Sequence, residues 1–206
     1  NDWKKQRDAV VRIRAVSDFI ISNCTGTLVR TTDKKYKPYL LSAMHCALRG
    51  AGDSLINDTL FNYWTFTFNY QSPTCANPFN DSNFNKQIIT GSKVLAHSDD
   101  RGGELGSDFL LVELNEIVPP DYKAYYAGWN LDVASQFNSG VCIHHPNYDI
   151  KKISTYTWPL SFEAPFQTSP DDTHWETLWS STVNGHGVTE PGSSGSAIFD
   201  KDGLIL

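Results

Sequence analysis

Three side chains of the types that cooperate in acyl transfer are spread along the chain: His45, Asp108 and Ser194. Ser194 lies in Pro191-Gly192-Ser193-Ser194-Gly195-Ser196. A serine on a tight, glycine-bounded turn can present its hydroxyl, and small neighbours let a substrate backbone approach closely. The N–H groups of Gly192 and Ser194 could then converge on a developing oxyanion, where one such donor contributes roughly 3–4 kcal/mol in the transition state. Taken alone, Gly-Ser-Ser-Gly reads equally as a flexible surface loop. A serine nucleophile needs a base. His45 ends the stretch Leu41-Ser42-Ala43-Met44-His45-Cys46, where a rigid strand hands an imidazole to a loop; a lone histidine is more often structural. Asp108 stands at the mouth of Phe109-Leu110-Leu111-Val112. A carboxylate beside so apolar a run is unfavourable unless paired, which points to a partner such as an imidazole Nδ1–H. A strand-capping aspartate is the plain alternative.

The elements that must position these groups read as strands. Val11, Ile13 and Ala15 alternate with Arg12 and Arg14, and Trp64, Phe66, Phe68 and Tyr70 alternate with Thr65, Thr67 and Asn69. Both patterns mark half-buried strands. Shorter runs of the same kind are Gly26–Val29, Tyr39–Ala43, Val94–His97, Phe109–Leu114, Tyr125–Trp129, Val141–His144 and Ser196–Phe199. Asp100–Gly106 holds three glycines, and Asp200-Lys201-Asp202-Gly203 reads as a hairpin turn. Many short strands separated by turns imply a sandwich or barrel, and few segments carry a helical period. The Pro119-Pro120 pair lies in Asn115–Tyr122, a seam that disfavours helix and central strand. It divides the chain into 1–117, carrying His45 and Asp108, and 118–206, carrying Ser194. An ordinary surface loop explains the same residues.

Composition excludes several other functions. The 206 residues are 40% hydrophobic, enough for a sizeable core, and the net charge of -6 gives no footprint for nucleic acid. No run of eighteen apolar residues offers a membrane span, and the polar start Asn1–Arg7 is not a signal peptide. Cys24 and Cys46 flank two strand-like runs, and a bridge between them would close a loop of about 20 residues, contributing roughly 3 kcal/mol. With no CxxC or metal-type spacing, the four cysteines favour an oxidising compartment over four reduced thiols. His144-His145 suggests a metal at first sight, but adjacent strand residues point to opposite faces. With no HExxH, neither metal nor cofactor is expected. Trp158, Trp175 and Trp179 fit a substrate groove or ordinary packing equally well. Asn23, Asn57 and Asn80 open glycosylation-type triplets, which carry little meaning if the source is bacterial.

The order His, Asp, Ser is that of chymotrypsin-type enzymes and not of subtilisins or α/β-hydrolases. Four segments carry a closer likeness: Cys24-Thr25-Gly26-Thr27-Leu28-Val29, Leu41–Cys46, Ser107-Asp108-Phe109 and Gly187–Ser196. Together with Asn69–Cys75, Ala127-Gly128-Trp129 and Ile143–Asn147, they resemble the bacterial lysyl endopeptidase family from about Arg7 onward. The resemblance implies an all-β fold of two six-stranded antiparallel β-barrels of the chymotrypsin type. It also implies secretion or periplasmic export as a precursor, and cleavage of proteins or peptides after lysine by a monomer. In that template Ser194 attacks, His45 moves the proton, Asp108 orients the imidazole, and the Gly192 and Ser194 N–H groups hold the oxyanion.

The chain departs from the pattern in three places. Twelve residues follow Ser194, so the second barrel is expected to be incomplete and the acidic residue of the family's specificity pocket to lie outside. A trypsin-like acid six residues before the serine is replaced by Val188. Ser193 stands where animal trypsins pair an aspartate with a new N-terminal amine. The resemblance also implies a partner for Cys75 just upstream of Asn1, whereas Cys142 reads as a buried free thiol. A catalytically silent protease-like binding module, or an endopeptidase with another residue preference, fits the same residues.

Overall fold

The structure is a computed structural model that describes residues 3–17, 20–33, 35–49, 54–77, 87–132, 137–163 and 168–206. The Asn80 triplet therefore lies outside the described residues. The chain opens with a helix, α1 (Lys4–Ala9), which the polar start does not announce. Seven strands then form one antiparallel sheet: β1 (Val10–Val16), β2 (Ile21–Leu28), β3 (Tyr39–Ala43), β4 (Thr65–Phe68), β5 (Gln87–Thr90), β6 (Ser92–His97) and β7 (Phe109–Leu114). Their order is β5-β4-β1-β2-β3-β7-β6. The two outermost strands are consecutive in the chain and meet at Gly91, whose N–H donates to Trp64 O while its carbonyl accepts from Asn115 N. One bent run of chain thus serves both ends of the sheet, which curls round on itself. Barrel closure requires such a turn of direction.

The apolar positions of the alternation read from sequence are buried, and so is Thr67 between them at 4% exposure. Val11, Ile13 and Ala15 are at most 1% exposed, and Trp64, Phe66, Phe68 and Tyr70 at most 7%. All but Tyr70, which stacks on His145, fill one core with Leu28, Leu40, Phe61, Leu110 and Val112. Burying such side chains contributes about 1.5–3 kcal/mol each, before the conformational entropy of ordering them is set against it.

The second half is built differently. β8 (Gly140–His144) lies between β9 (Lys152–Tyr156) and β14 (Ile198–Asp200) in a three-stranded sheet. Two separate hairpins pair β10 (Ser161–Glu163) with β11 (His174–Glu176) and β12 (Ser181–Thr182) with β13 (Gly185–His186). A second, smaller core joins Val141, Ile143, Ala197, Phe199 and Ile205 to Ala9 and Val10. Val10 and Val11, on opposite faces of β1, thus belong to different cores. The expected strand Tyr125–Trp129 forms only isolated bridges, Val29 to Ala127 and Trp129 to Ile205; its pairing is divided between the two halves. The turn Asp200–Gly203 forms as read, with Gly203 N–H donating to Asp200 O and Gly203 at φ +79°. Among the described residues no helix is long and apolar enough to cross a membrane.

Candidate active site

Strand register brings two of the three candidate residues together. β3 pairs with β7 so that Ala43 faces Phe109; His45 lies two residues beyond one partner and Asp108 one before the other. Met44 N–H donates to Asp108 O (2.9 Å), and His45 N–H donates to Asp108 Oδ1 (2.9 Å). Asp108 Oδ2 then stands 2.6 Å from His45 Nδ1. Both carboxylate oxygens are spent on one residue, so the imidazole is held through its backbone and its ring together. The Asp108 side chain is 16% exposed and that of His45 42%, which leaves the far edge of the ring open to a ligand.

Asp108 itself has φ +54°, a left-handed conformation that non-glycine residues adopt only where their surroundings fix it. The fixing group is Asp100. Its Oδ2 accepts from Asp108 N–H (2.7 Å) and its Oδ1 from Gly103 N–H (3.1 Å). Burial alone would raise the Asp100 carboxyl, but hydrogen bonds from Asp108 N–H, the Ser98 side chain and Gly103 N–H outweigh it and hold it below the ordinary range. The sequence marks this stretch only as a glycine-rich turn. An aspartate eight residues before Asp108 gives no periodic signal.

Cys24 and Cys46 form a disulfide with a Cα–Cα distance of 6.4 Å, tying β2 to the turn that carries His45. Cys75, exposed, and Cys142, buried, have no disulfide partner among the described residues. Burial pushes the Cys142 thiol up to about 11, partly offset by Ser196, which leaves it protonated and inert at neutral pH.

Ser194 is placed by backbone contacts. Its carbonyl accepts from Thr25 N–H (2.8 Å), directly beside the disulfide. Thr25 Oγ1 donates to Gly192 O (2.8 Å) and accepts from His145 N–H (3.1 Å), while Asn147 N–H donates to Pro191 O (2.7 Å). Two glycines make this docking possible. Gly192 has φ +99°, and a Cβ there would come within 2.6 Å of His145 O. Gly195 has φ +80°, and a Cβ there would sit 2.5 Å from Thr25 O and 2.7 Å from Ala43 N. Any larger residue would push the turn off the strands that present His45. Among the described residues no hydrogen bond links Ser194 Oγ to His45 Nε2; such bonds are often loose before substrate binds.

Residues 1–205 match the lysyl endopeptidase C-terminal domain. The chain belongs to that family. The family member's fold is also that of solved serine proteases of low sequence identity. A mutant of Rv3671c from M. tuberculosis in an inactive form is 11% identical, with a TM-score of 0.57 over 99% of this chain and 75% of that one. Deg5 is 12% identical with a TM-score of 0.58, over 99% and 79% of the two chains. The HtrA-type protease AlgW, solved with a tripeptide, is 11% identical with a TM-score of 0.58, and the match spans 51% of its length. The lysyl endopeptidase domain is therefore mainly β and of the chymotrypsin-like type, as its strand pattern implies.

Two of the three tryptophans singled out by sequence line an open cleft of about 780 Å³ next to the segment that carries the candidate nucleophile Ser194. Trp158 and Trp179 border it with Thr157, Leu178, Gly187 and Val188. Trp175 instead stacks on Phe162 at 3.9 Å and meets Phe137 edge-on. His144 ends β8 and His145 follows it, and the two rings have separate partners. His145 stacks on Tyr70 and bonds Asp149 O through Nδ1 (3.0 Å), whereas His144 meets Ser193 and Ser154.

Proposed function

We propose that this chain is the catalytic domain of a serine endopeptidase that cleaves after lysine. The observation that carries the reading is the pairing of His45 Nδ1 with Asp108 Oδ2 at 2.6 Å, with the second carboxylate oxygen on His45 N–H. An imidazole held in this way keeps Nε2 free to accept a proton. Ser194 Oγ attacks the scissile carbonyl as its proton passes to His45, and the Asp108 carboxylate stabilises the resulting imidazolium. The Gly192 and Ser194 N–H groups receive the oxyanion. His45 returns the proton to the leaving amine, and water, activated by the same imidazole, releases the acyl group. Residues 1–117 carry the base and the acid, and residues 118–206 the nucleophile.

Family membership supports lysine preference, and the cleft beside Gly187 and Val188 supports a binding place for substrate near Ser194. The Cys24–Cys46 bridge supports a secreted or periplasmic location. Protein or peptide is the expected partner and a monomer the expected state.

A fluorophosphonate probe is expected to label the mature wild-type protein at Ser194 and to leave Ser194→Ala unlabelled. Failure to label wild type would overturn the enzymatic reading in favour of a silent binding module. Peptide-library cleavage is expected to show lysine before the cut; another residue at that place would retain the mechanism and remove the lysine assignment.

A further inference from the structure

Behind the nucleophile turn lies a second imidazole that the proton-transfer scheme does not use. His144 is 0% exposed, on the central strand of the three-stranded sheet. Its Nδ1 is 2.7 Å from Ser193 Oγ, and its Nε2 is 3.0 Å from Ser154 Oγ on neighbouring β9. Ser193, the residue before the candidate nucleophile, is 7% exposed, and Ser154 1%.

The proton positions follow from counting donors. Ser154 has one hydroxyl proton, and it goes to Val188 O (3.0 Å). Ser154 Oγ must therefore accept from His144, which places a proton on Nε2. In the neutral ring Nδ1 is then an acceptor, so Ser193 O–H donates to it, while Ser193 Oγ accepts from Glu190 N–H (3.2 Å). Every donor and acceptor in the chain from Glu190 N–H to Val188 O is used once and in one direction. Buried polar chains satisfied in this way fix a single local geometry. Burial also pulls the His144 imidazole down to about 4, which keeps the ring neutral as the chain requires.

We propose that His144, as the neutral Nε2–H tautomer, is a positioning residue that locks the 190–194 turn and so sets the Gly192 and Ser194 N–H groups toward the oxyanion. The inference rests on the endopeptidase reading above. Both ends of the hydrogen-bond chain return to the segment Val188–Ser193, so His144 spans the base of the loop. Ser193 O, the next group along, accepts from Ser196 Oγ (2.6 Å) and Ser196 N–H (3.0 Å), closing the turn on its far side. His144 touches neither His45 nor a reacting atom in this arrangement. It acts through the loop.

The test compares His144→Phe, His144→Asn and Ser193→Ala in the mature protein. His144→Phe removes both ring contacts, and kcat is expected to fall about tenfold to a hundredfold, the scale of a small displacement of catalytic groups, with KM changed less than about threefold. Affinity for a peptide aldehyde, whose adduct with Ser194 places an oxygen in the oxyanion position, is expected to fall by the same factor as kcat. The side-chain amide oxygen introduced by His144→Asn can replace Nδ1 as acceptor for Ser193, so this variant is expected to recover part of the loss. Ser193→Ala is the safeguard should the core variants fail to fold, and it is expected to lower kcat and aldehyde affinity together. Wild-type kcat and aldehyde affinity in folded Ser193→Ala and His144→Phe would overturn the proposal. So would ¹⁵N spectra of wild type showing the His144 proton on Nδ1, a result independent of activity. If wild type is neither labelled by the fluorophosphonate nor active on peptides, the endopeptidase reading itself falls, and this inference with it.

Discussion

The two halves of the molecule hold their candidate catalytic groups by different means. In the first, sheet register and a disulfide do the placing: β3 and β7 pair so that His45 and Asp108 meet, and Cys46 anchors the turn between them and β2. In the second, Ser194 lies on a turn whose position depends on hydrogen bonds to Thr25, Asn147 and His144. A register error in a packed sheet displaces every side chain along the strand, so the pairing of β3 with β7 resists single changes elsewhere on those strands. A turn held by separate hydrogen bonds is open to loss one contact at a time.

Four measurements would sharpen or break this contrast. Asp108→Asn is expected to lower kcat about 10⁴-fold, by favouring the wrong imidazole tautomer, while the thermal midpoint moves little; a loss below about tenfold would detach Asp108 from the chemistry. The next effect belongs to the second half. The His144 imidazole is pulled from 6.5 down to about 4, and burial, with smaller effects from Lys151 and Arg12, holds the His145 imidazole well below 6.5 as well. Between pH 6.5 and about 4 these histidines bind more protons in the unfolded chain than in the folded one, so their contribution to stability is full above pH 6.5 and is lost on acidification. His144 alone corresponds to about 3 kcal/mol by pH 4. Denaturant unfolding at pH 7, 5.5 and 4 checks the slope, and a flat profile would contradict the buried, neutral placement of these rings.

Replacing Cys24 and Cys46 together by serine is expected to lower stability by about 3 kcal/mol through the freed loop. Activity at low temperature should survive in part, because the β3–β7 pairing remains; total loss of activity in the folded variant would show that the bridge, not the register, places His45. Asp100→Ala removes the acceptor of Asp108 N–H and Gly103 N–H. About 2 kcal/mol of stability is expected to go, with a moderate fall in kcat at unchanged KM. No change in either would mean that the left-handed conformation of Asp108 needs no support from Asp100.

The first half was the more legible in sequence, for a physical reason. Alternation along Val11–Ala15 and Trp64–Tyr70 records a one-sided core directly, and those side chains are buried as the pattern implies. The meeting of His45 and Asp108 was legible too, because each sits beside a distinctive local run on paired strands. Asp100 was hidden because the partners that tie it to the site, Asp108 and Gly103, meet it through backbone N–H groups, which leave no mark on residue type. His144 was read only as one of two histidines on opposite faces; its partner Ser193 is 49 positions away, and no local pattern spans that distance. Helix α1 carries neither a capping side-chain bond nor an acidic first turn, so the usual start signals are missing. Its stability comes from packing, with Ala9 in the second core.

The bent strand at Gly91 bears on how the protein behaves among its own copies. A long unpaired strand edge is a template on which another chain can add. Here the run that opens the sheet also ends it, so among the described residues its outer strands are β5, of 4 residues, and β6, of 6. β6 presents exposed Lys93 and shifts register between Val94 and Ala96. One edge is short and the other charged and bulged, so both give a neighbouring strand little to continue, and the bend that curls this half also limits its stacking into fibres.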